Sequence, residues 1–189
     1  MGNLVVSEFI SIDGVMDDPG GAEGTAHGGW AFQSDRGDGD AFKFTELMAA
    51  DAQLLGRRTY EGFAKAWPTM TDMGDFGDKM NAMPKFVVSA TLESADWTNS
   101  TVIGGNLSYE VAALKEQFEG DILVAGSAQL VQGLLALGLV DELRLMVFPV
   151  LLGGGKRLFA DDAERAAFNI VEAKHTGDVV LLTLRPAGV

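Results

Sequence analysis

The chain contains no cysteine. That absence excludes disulfides, thiolate nucleophiles and zinc–thiolate sites, and it makes the cytoplasm the expected location. Histidine is scarce: His27 and His175 stand alone and form no metal-ligating or triad pattern. Lys and Arg number 14 against 27 Asp and Glu, for a formal net charge of −13. Such a chain lacks the basic footprint of a nucleic-acid binder, and anionic membranes repel it. No apolar run reaches the roughly 18 residues a membrane span needs. The N-terminal MGNLVVSEFIS has no basic region ahead of its apolar stretch, unlike a secretory signal. The composition, 47% hydrophobic over 189 residues, suits one domain with a substantial core, read as residues 1–189.

Glycine is plentiful, and its placement organises the chain. Ile122-Leu123-Val124-Ala125 reads as a strand buried on both faces. Gly126-Ser127 then opens a helix with Leu130, Leu134 and Leu137 on one face and Gly138 as its stop. A strand from Leu143 to Val150 follows, so the segment is a crossover unit of the parallel-sheet kind. The Gly-Ser turn has two readings. Free N–H groups at a helix start bind anions, and a glycine lets a phosphate approach. Alternatively, Ser127 simply caps the helix.

Asn3 to Ser11 reads as a central strand ended by Ser11-Ile12-Asp13-Gly14. The Gly- and Asp-rich stretch 15–40 reads as a long loop, and loops of that length are usually functional. Its acidic residues miss the calcium-loop pattern, because glycine occupies ligand positions, and no metal site is assigned. Asp40 to Ala50 forms a helix with Phe44, Leu47 and Met48 inward. Ala52 to Leu55 is a short strand, and Gly56-Arg57-Arg58-Thr59 opens another helix with Thr59 as its cap. Lys85 to Ala90 and Thr101 to Ile103 are strands, 108–118 is a core-facing helix, and Phe168–His175 with Val179–Arg185 form an antiparallel hairpin. The fold class is therefore α/β, a mostly parallel central sheet flanked by helices with a C-terminal antiparallel hairpin. Ligands of such sheets bind beyond the carboxyl ends of strands. Asp13-Gly14, Gly56 to Thr59, Ser89-Ala90 and Gly126-Ser127 all fall at such ends. Arg57, Arg58, Lys156 and Arg157, four of the few basic residues, suit a phosphorylated ligand or surface ion pairs.

GRRTYEGF (56–63) and VVSATL (87–92) resemble motifs of the dihydrofolate reductases. SIDGVM (11–16) and VDELRLMVFPVLLGGGKRLF (140–159) more closely resemble the C-terminal reductase domain of bifunctional riboflavin-biosynthesis enzymes and its stand-alone relatives. The resemblance runs from about Asn3 to Arg185. It implies a dihydrofolate-reductase-like fold, NADPH as cofactor, a pyrimidine- or pterin-like substrate and a homodimer. It places cofactor phosphates against Gly56, Arg57, Arg58 and Thr59, with Arg57 near the 2′-phosphate, the adenine ribose near Ser89, and the pyrophosphate against Gly126, Ser127, Ala128, Gln129 and Leu130. Ala90 stands where many members carry an arginine for the 2′-phosphate, so NADH also enters as a cofactor. On the substrate side the resemblance points to Asp13 or Asp40 as the catalytic carboxylate, with Phe44 and Trp30 against the heterocycle. Asp13 reads equally as a turn-former and Asp40 as a helix cap. A non-catalytic nucleotide-binding protein and dihydrofolate reductase proper are the rival readings.

Overall fold

The structure is a computed structural model and describes residues 1–188. Eight strands form one sheet: β1 (Asn3–Ser11), β2 (Ala50–Gly56), β3 (Lys85–Val88), β4 (Ser100–Ile103), β5 (Asp121–Val124), β6 (Glu142–Phe148), β7 (Phe168–Thr176) and β8 (Val179–Pro186). Their order is β4-β3-β2-β5-β1-β6-β8-β7. β1 to β6 are all parallel to one another, and β8 is antiparallel to both β6 and β7. The C-terminal hairpin thus extends the sheet on the far side of β6, and β7 is its outer edge.

β1 is the central strand, with β5 and β6 on either side. Its Leu4 and Val6 face one layer and Val5 the other, all almost fully buried. Burying each such side chain contributes roughly 1.5–3 kcal/mol. On the first face, α4 (Leu107–Gln117) and α5 (Ala128–Ala136) bring Val111, Leu114, Val131 and Leu134 onto the sheet. On the second, α1 (Gly39–Ala49), α2 (Arg57–Ala66) and α3 (Gly74–Ala82) bring Leu47, Tyr60 and Met80.

Helix ends follow local chemistry. The Asn106 side chain accepts from the N–H groups of Ser108 and Tyr109 and starts α4. Gly138, at φ 63°, stops α5 as expected. Its N–H reaches Leu135 O at 3.0 Å and Leu139 N–H reaches Leu134 O at 3.0 Å, the paired closure that a left-handed residue permits.

Several expectations are corrected by this geometry. Phe44 does not turn inward; it is 42% exposed. Asp40 is not the cap of α1. The residue in that position is Asp38, which makes no side-chain cap bond. Thr59 lies inside α2, whose N-cap is Gly56. For both helices the observed cap lies within three residues of the expected one.

The long loop after β1 is organised by its own polar groups. Asp18 is buried, and its carboxylate accepts from the N–H groups of Glu23 and Thr25 and from the Thr25 hydroxyl. Trp30 Nε1 donates to Asp17 O at 2.9 Å. Among the described residues, no group of three or more His, Asp or Glu is placed to hold a metal ion, and no helix is long and apolar enough to cross a membrane.

Candidate active site

The carboxyl ends of β3, β2, β5 and β1 lie side by side, because these strands are consecutive in the sheet. The sequence features at those ends are thereby brought into one row: Ser89, Gly56 to Thr59, Gly126-Ser127 and Asp13-Gly14. The tightest meeting is between β2 and β5. Gly56 N–H donates to Gly126 O at 3.2 Å. A Cβ added at Gly56 would collide with the Ser127 side chain, and one at Gly126 would stand 2.6 Å from Thr59 Oγ1. Gly126 is at φ 88°, and the Gly126–Ser127 peptide is cis. Both positions therefore require glycine, one for close approach and one also for its left-handed backbone.

Two helices begin at this meeting point, and neither has a side-chain cap. Gly56, the N-cap of α2, has no side chain to offer, and Ser127, the N-cap of α5, makes no cap bond. This corrects the reading of Ser127 as an ordinary cap. First-turn N–H groups have no partner within a helix and carry partial positive charge. Here two sets of them open toward one crevice whose floor is glycine. The arrangement fits an anion of several phosphates. Ala128 and Leu130 are buried against the core, whereas Gln129, Arg57 and Arg58 are exposed at the rim. Arg57 is only loosely paired, 3.8 Å from Glu61. Ser89 Oγ accepts from the N–H groups of Thr91 and Leu92, which folds the turn after β3.

The other end of the row is built differently. Asp13 accepts from the Ser11 hydroxyl at 2.6 Å, from Leu152 N–H at 3.2 Å and from Gly153 N–H at 2.8 Å. These bonds hold its carboxyl down at about 2, the Ser11 bond being the largest cause. Arg157 donates to Asp13 O, Leu158 N–H to Gly14 O and Met16 N–H to Lys156 O. Lys156 also pairs with Asp17 and Glu23. The SIDGVM and GGGKRLF motifs, far apart in sequence, thus lace to each other, and the charges of Lys156 and Arg157 serve that seam.

The remaining substrate-side residues are scattered. Asp40 lies on the first turn of α1, largely exposed, and pairs with Arg36 at 3.0 Å. Phe44 stands in a surface aromatic group with Phe76 and Trp67. Trp30 is 2% exposed and packs edge-on against Phe148, as core. Two surface depressions lie away from the crevice. One of about 360 Å³ runs between α1 and β8, and one of about 530 Å³ between α2 and residues 94–98. Neither includes the strand-end glycines, so the crevice rests on its donors rather than on volume.

Sequence reasoning missed two charged groups beneath this surface. Glu46 of α1 is buried, takes bonds from Ser7 and Lys43 and lies 3.5 Å from Arg144. Arg144 also binds Glu142 and Asp121, so this network pins α1 to β1, β5 and β6. The second is Glu8 of β1, buried close to Gly126. Its signal was present, since a glutamate in the middle of an apolar central strand is out of place.

The sequence profile of the RibD C-terminal domain matches residues 3–182. The chain belongs to the RibD C-terminal domain family. It is 32% identical over 135 residues to the uncharacterized protein YyaP of Bacillus subtilis (strain 168), covering 69% of this chain and 71% of YyaP. Its fold matches a putative riboflavin biosynthesis protein from Shewanella sp. PV-4 with a TM-score of 0.77 at 22% identity, over 98% of this chain and 99% of that one. It also matches dihydrofolate reductase from Enterococcus faecalis, solved with NADP(H), with a TM-score of 0.61 at 16% identity, over 98% and 97% of the two chains. The fold is thus that of the dihydrofolate-reductase-like reductases.

Proposed function

We propose that the protein is an NAD(P)H-dependent reductase that passes a hydride to a pyrimidine- or pterin-like heterocycle, similar to 5-amino-6-(5-phosphoribosylamino)uracil reductase. The observation that carries this reading is the pair of uncapped helix starts meeting over Gly56 and Gly126. In this reading the turn from Gly126 to Leu130 holds the pyrophosphate of the dinucleotide through the N–H groups of Ser127 to Leu130. Those of the first turn of α2, with the Thr59 hydroxyl, contact the cofactor phosphates from the facing side. Arg57 and Arg58 lie at the rim for the 2′-phosphate, and Ser89 borders the adenine ribose. With Ala90 exposed and uncharged beside Ser89, NADH is accepted as well as NADPH.

The nicotinamide, when bound, supplies the hydride. The protein aligns donor and acceptor and keeps water out. Asp13 fixes the wall of the acceptor site by lacing residues 151–158 to the end of β1. Asp40, still solvent-accessible on α1, orients the acceptor or relays its proton, and Phe44 borders the heterocycle.

Fluorescence titration with NADPH and NADH tests the cofactor reading, and absence of binding of either at millimolar concentration overturns it. NADPH oxidation with dihydrofolate, and with the ribosylamino-pyrimidinone of riboflavin synthesis, separates the acceptors. A non-catalytic nucleotide-binding role is the second reading. It is favoured by one observation: Asp13, the carboxylate nearest the crevice in the row, already has its oxygens engaged by the fold. Binding without turnover on any heterocycle would select it.

A further inference from the structure

Among the buried ionisable side chains of the sheet, Glu142 is paired with Arg144 and Arg185, and Lys85 and Glu8 differ in how they are satisfied. Lys85 is fully enclosed, but its ammonium donates to the carbonyls of Asn81, Met83 and Thr98 and sits 4.2 Å from the Trp97 ring centre. It has a complete structural role. Glu8 does not. It is only 9% exposed, and its Oε1 is buried with no hydrogen-bond partner. A buried carboxyl oxygen left unpaired is costly, so its retention in the central strand asks for a reason.

Its position supplies one. Glu8 stands in register with Leu145 of β6, two residues beyond the point where Val6 pairs with Val124 of β5. There the β5 ladder has ended and the chain turns through Gly126. The Gly126 N–H faces the Glu8 carboxyl. Glu8 therefore fills the gap under the turn that forms one wall of the phosphate crevice. The charges that act on it are Lys43, which favours the carboxylate, and Glu46, which opposes it, both from α1 across the sheet, on the face to which Ser7 and Phe9 point. Arg144 of β6 is held by Glu46, Glu142 and Asp121. Burial outweighs Lys43 and pushes the Glu8 carboxyl up to about 8.

We propose that Glu8 is a positioning residue for the anionic ligand of the β2–β5 crevice, and that it must carry a proton, taken up from solvent, for a diphosphate to dock on the Gly126–Ser127 turn. The inference rests on the dinucleotide reading given above. Its physical basis is simple. An ionised Glu8 places a negative charge in a low-dielectric layer directly beneath the anion, whereas the neutral acid still accepts from Gly126 N–H and adds no repulsion. Ligand binding and protonation of Glu8 then reinforce each other by linkage.

The test is NADPH affinity between pH 7 and pH 10, a range above the roughly 6 at which phosphate monoesters last titrate. The expected result for the natural chain is affinity that weakens as pH rises through about 8, by up to about tenfold per unit. Glu8→Gln, which cannot ionise, flattens that profile, and Glu8→Asp restores a slope. Carbon-13 NMR of the labelled Glu8 carboxyl in the ligand-free protein reads its titration directly and independently of any nucleotide. A pH-independent affinity, or a slope that Glu8→Gln retains, overturns the role of Glu8 and leaves the reductase reading standing. Titration of Glu8 in the ordinary carboxylate range overturns it as well. Failure of NADPH to bind at any pH, with Glu8 titrating as expected, overturns the dinucleotide reading and the docking role together.

Discussion

The two ends of the strand-end row use the same materials, glycine turns and backbone N–H groups, to opposite effect. At β1, the N–H groups of Leu152 and Gly153 are closed onto Asp13, and the arginine and lysine of GGGKR are paired within the seam. At β2 and β5, the first-turn N–H groups of two helices meet no side-chain cap. A seam whose donors are turned onto its own carboxylate and carbonyls is structure. The starts of α1 and α3 are uncapped too, so what sets the β2–β5 crevice apart is that two uncapped starts meet there over glycine, as a multiply charged anion requires. Charge alone did not separate the two, since basic residues stand at both.

The largest effect expected from disturbing this contrast is at Gly126. Gly126→Ala forces a Cβ against Thr59 Oγ1 on a left-handed backbone and shifts the turn. Nucleotide affinity should fall about a hundredfold, equivalent to two hydrogen bonds of about 1.4 kcal/mol each. Isothermal titration of a variant verified as folded by circular dichroism measures it, and unchanged affinity would remove the crevice as the binding site.

Asp13→Ala probes the seam and should do the reverse. Melting temperature drops by about 2–4 °C or more while nucleotide affinity stays within about threefold. The sign with pH follows from the depressed carboxyl. Its folded value of about 2 lies below the ordinary 3.8, so its contribution is present above pH 3.8 and is lost as pH falls through about 2. Acid unfolding followed by fluorescence should therefore steepen below pH 4 in the natural chain and lose that component in the variant. Equal acid profiles would mean the seam is held by its other bonds.

The smallest effect sharpens the rim. Arg57 is exposed and weakly paired, so Arg57→Ala should weaken NADPH by about three- to tenfold and leave NADH unchanged. Equal loss for both nucleotides would contradict contact with the 2′-phosphate.

Much of this was legible beforehand, for reasons that differ by residue. Gly138 announced the end of α5 because a left-handed closing residue is a local requirement. Gly56, Ser89 and Gly126 were recognisable as strand ends because short apolar runs followed by glycine have few other readings. Asp13 was equally balanced between turn and catalysis, since an Asx turn and a substrate carboxylate look alike in sequence. Phe44, expected inward on its helix, is at the surface, and Trp30, a candidate for the heterocycle, is in the core. A single aromatic does not say which neighbour will cover it.

Periodicity, glycine placement and ordered motifs were enough to read the parallel α/β architecture, the strand ends and the family. The tertiary structure alone decided that Gly56 touches Gly126, that neither helix start is capped, and that SIDGVM meets GGGKRLF. It alone revealed that Glu8 lies buried beneath the turn with its Oε1 unpaired. Those facts depend on which strands become neighbours, and β5 inserting between β1 and β2 is a long-range event that no local pattern encodes.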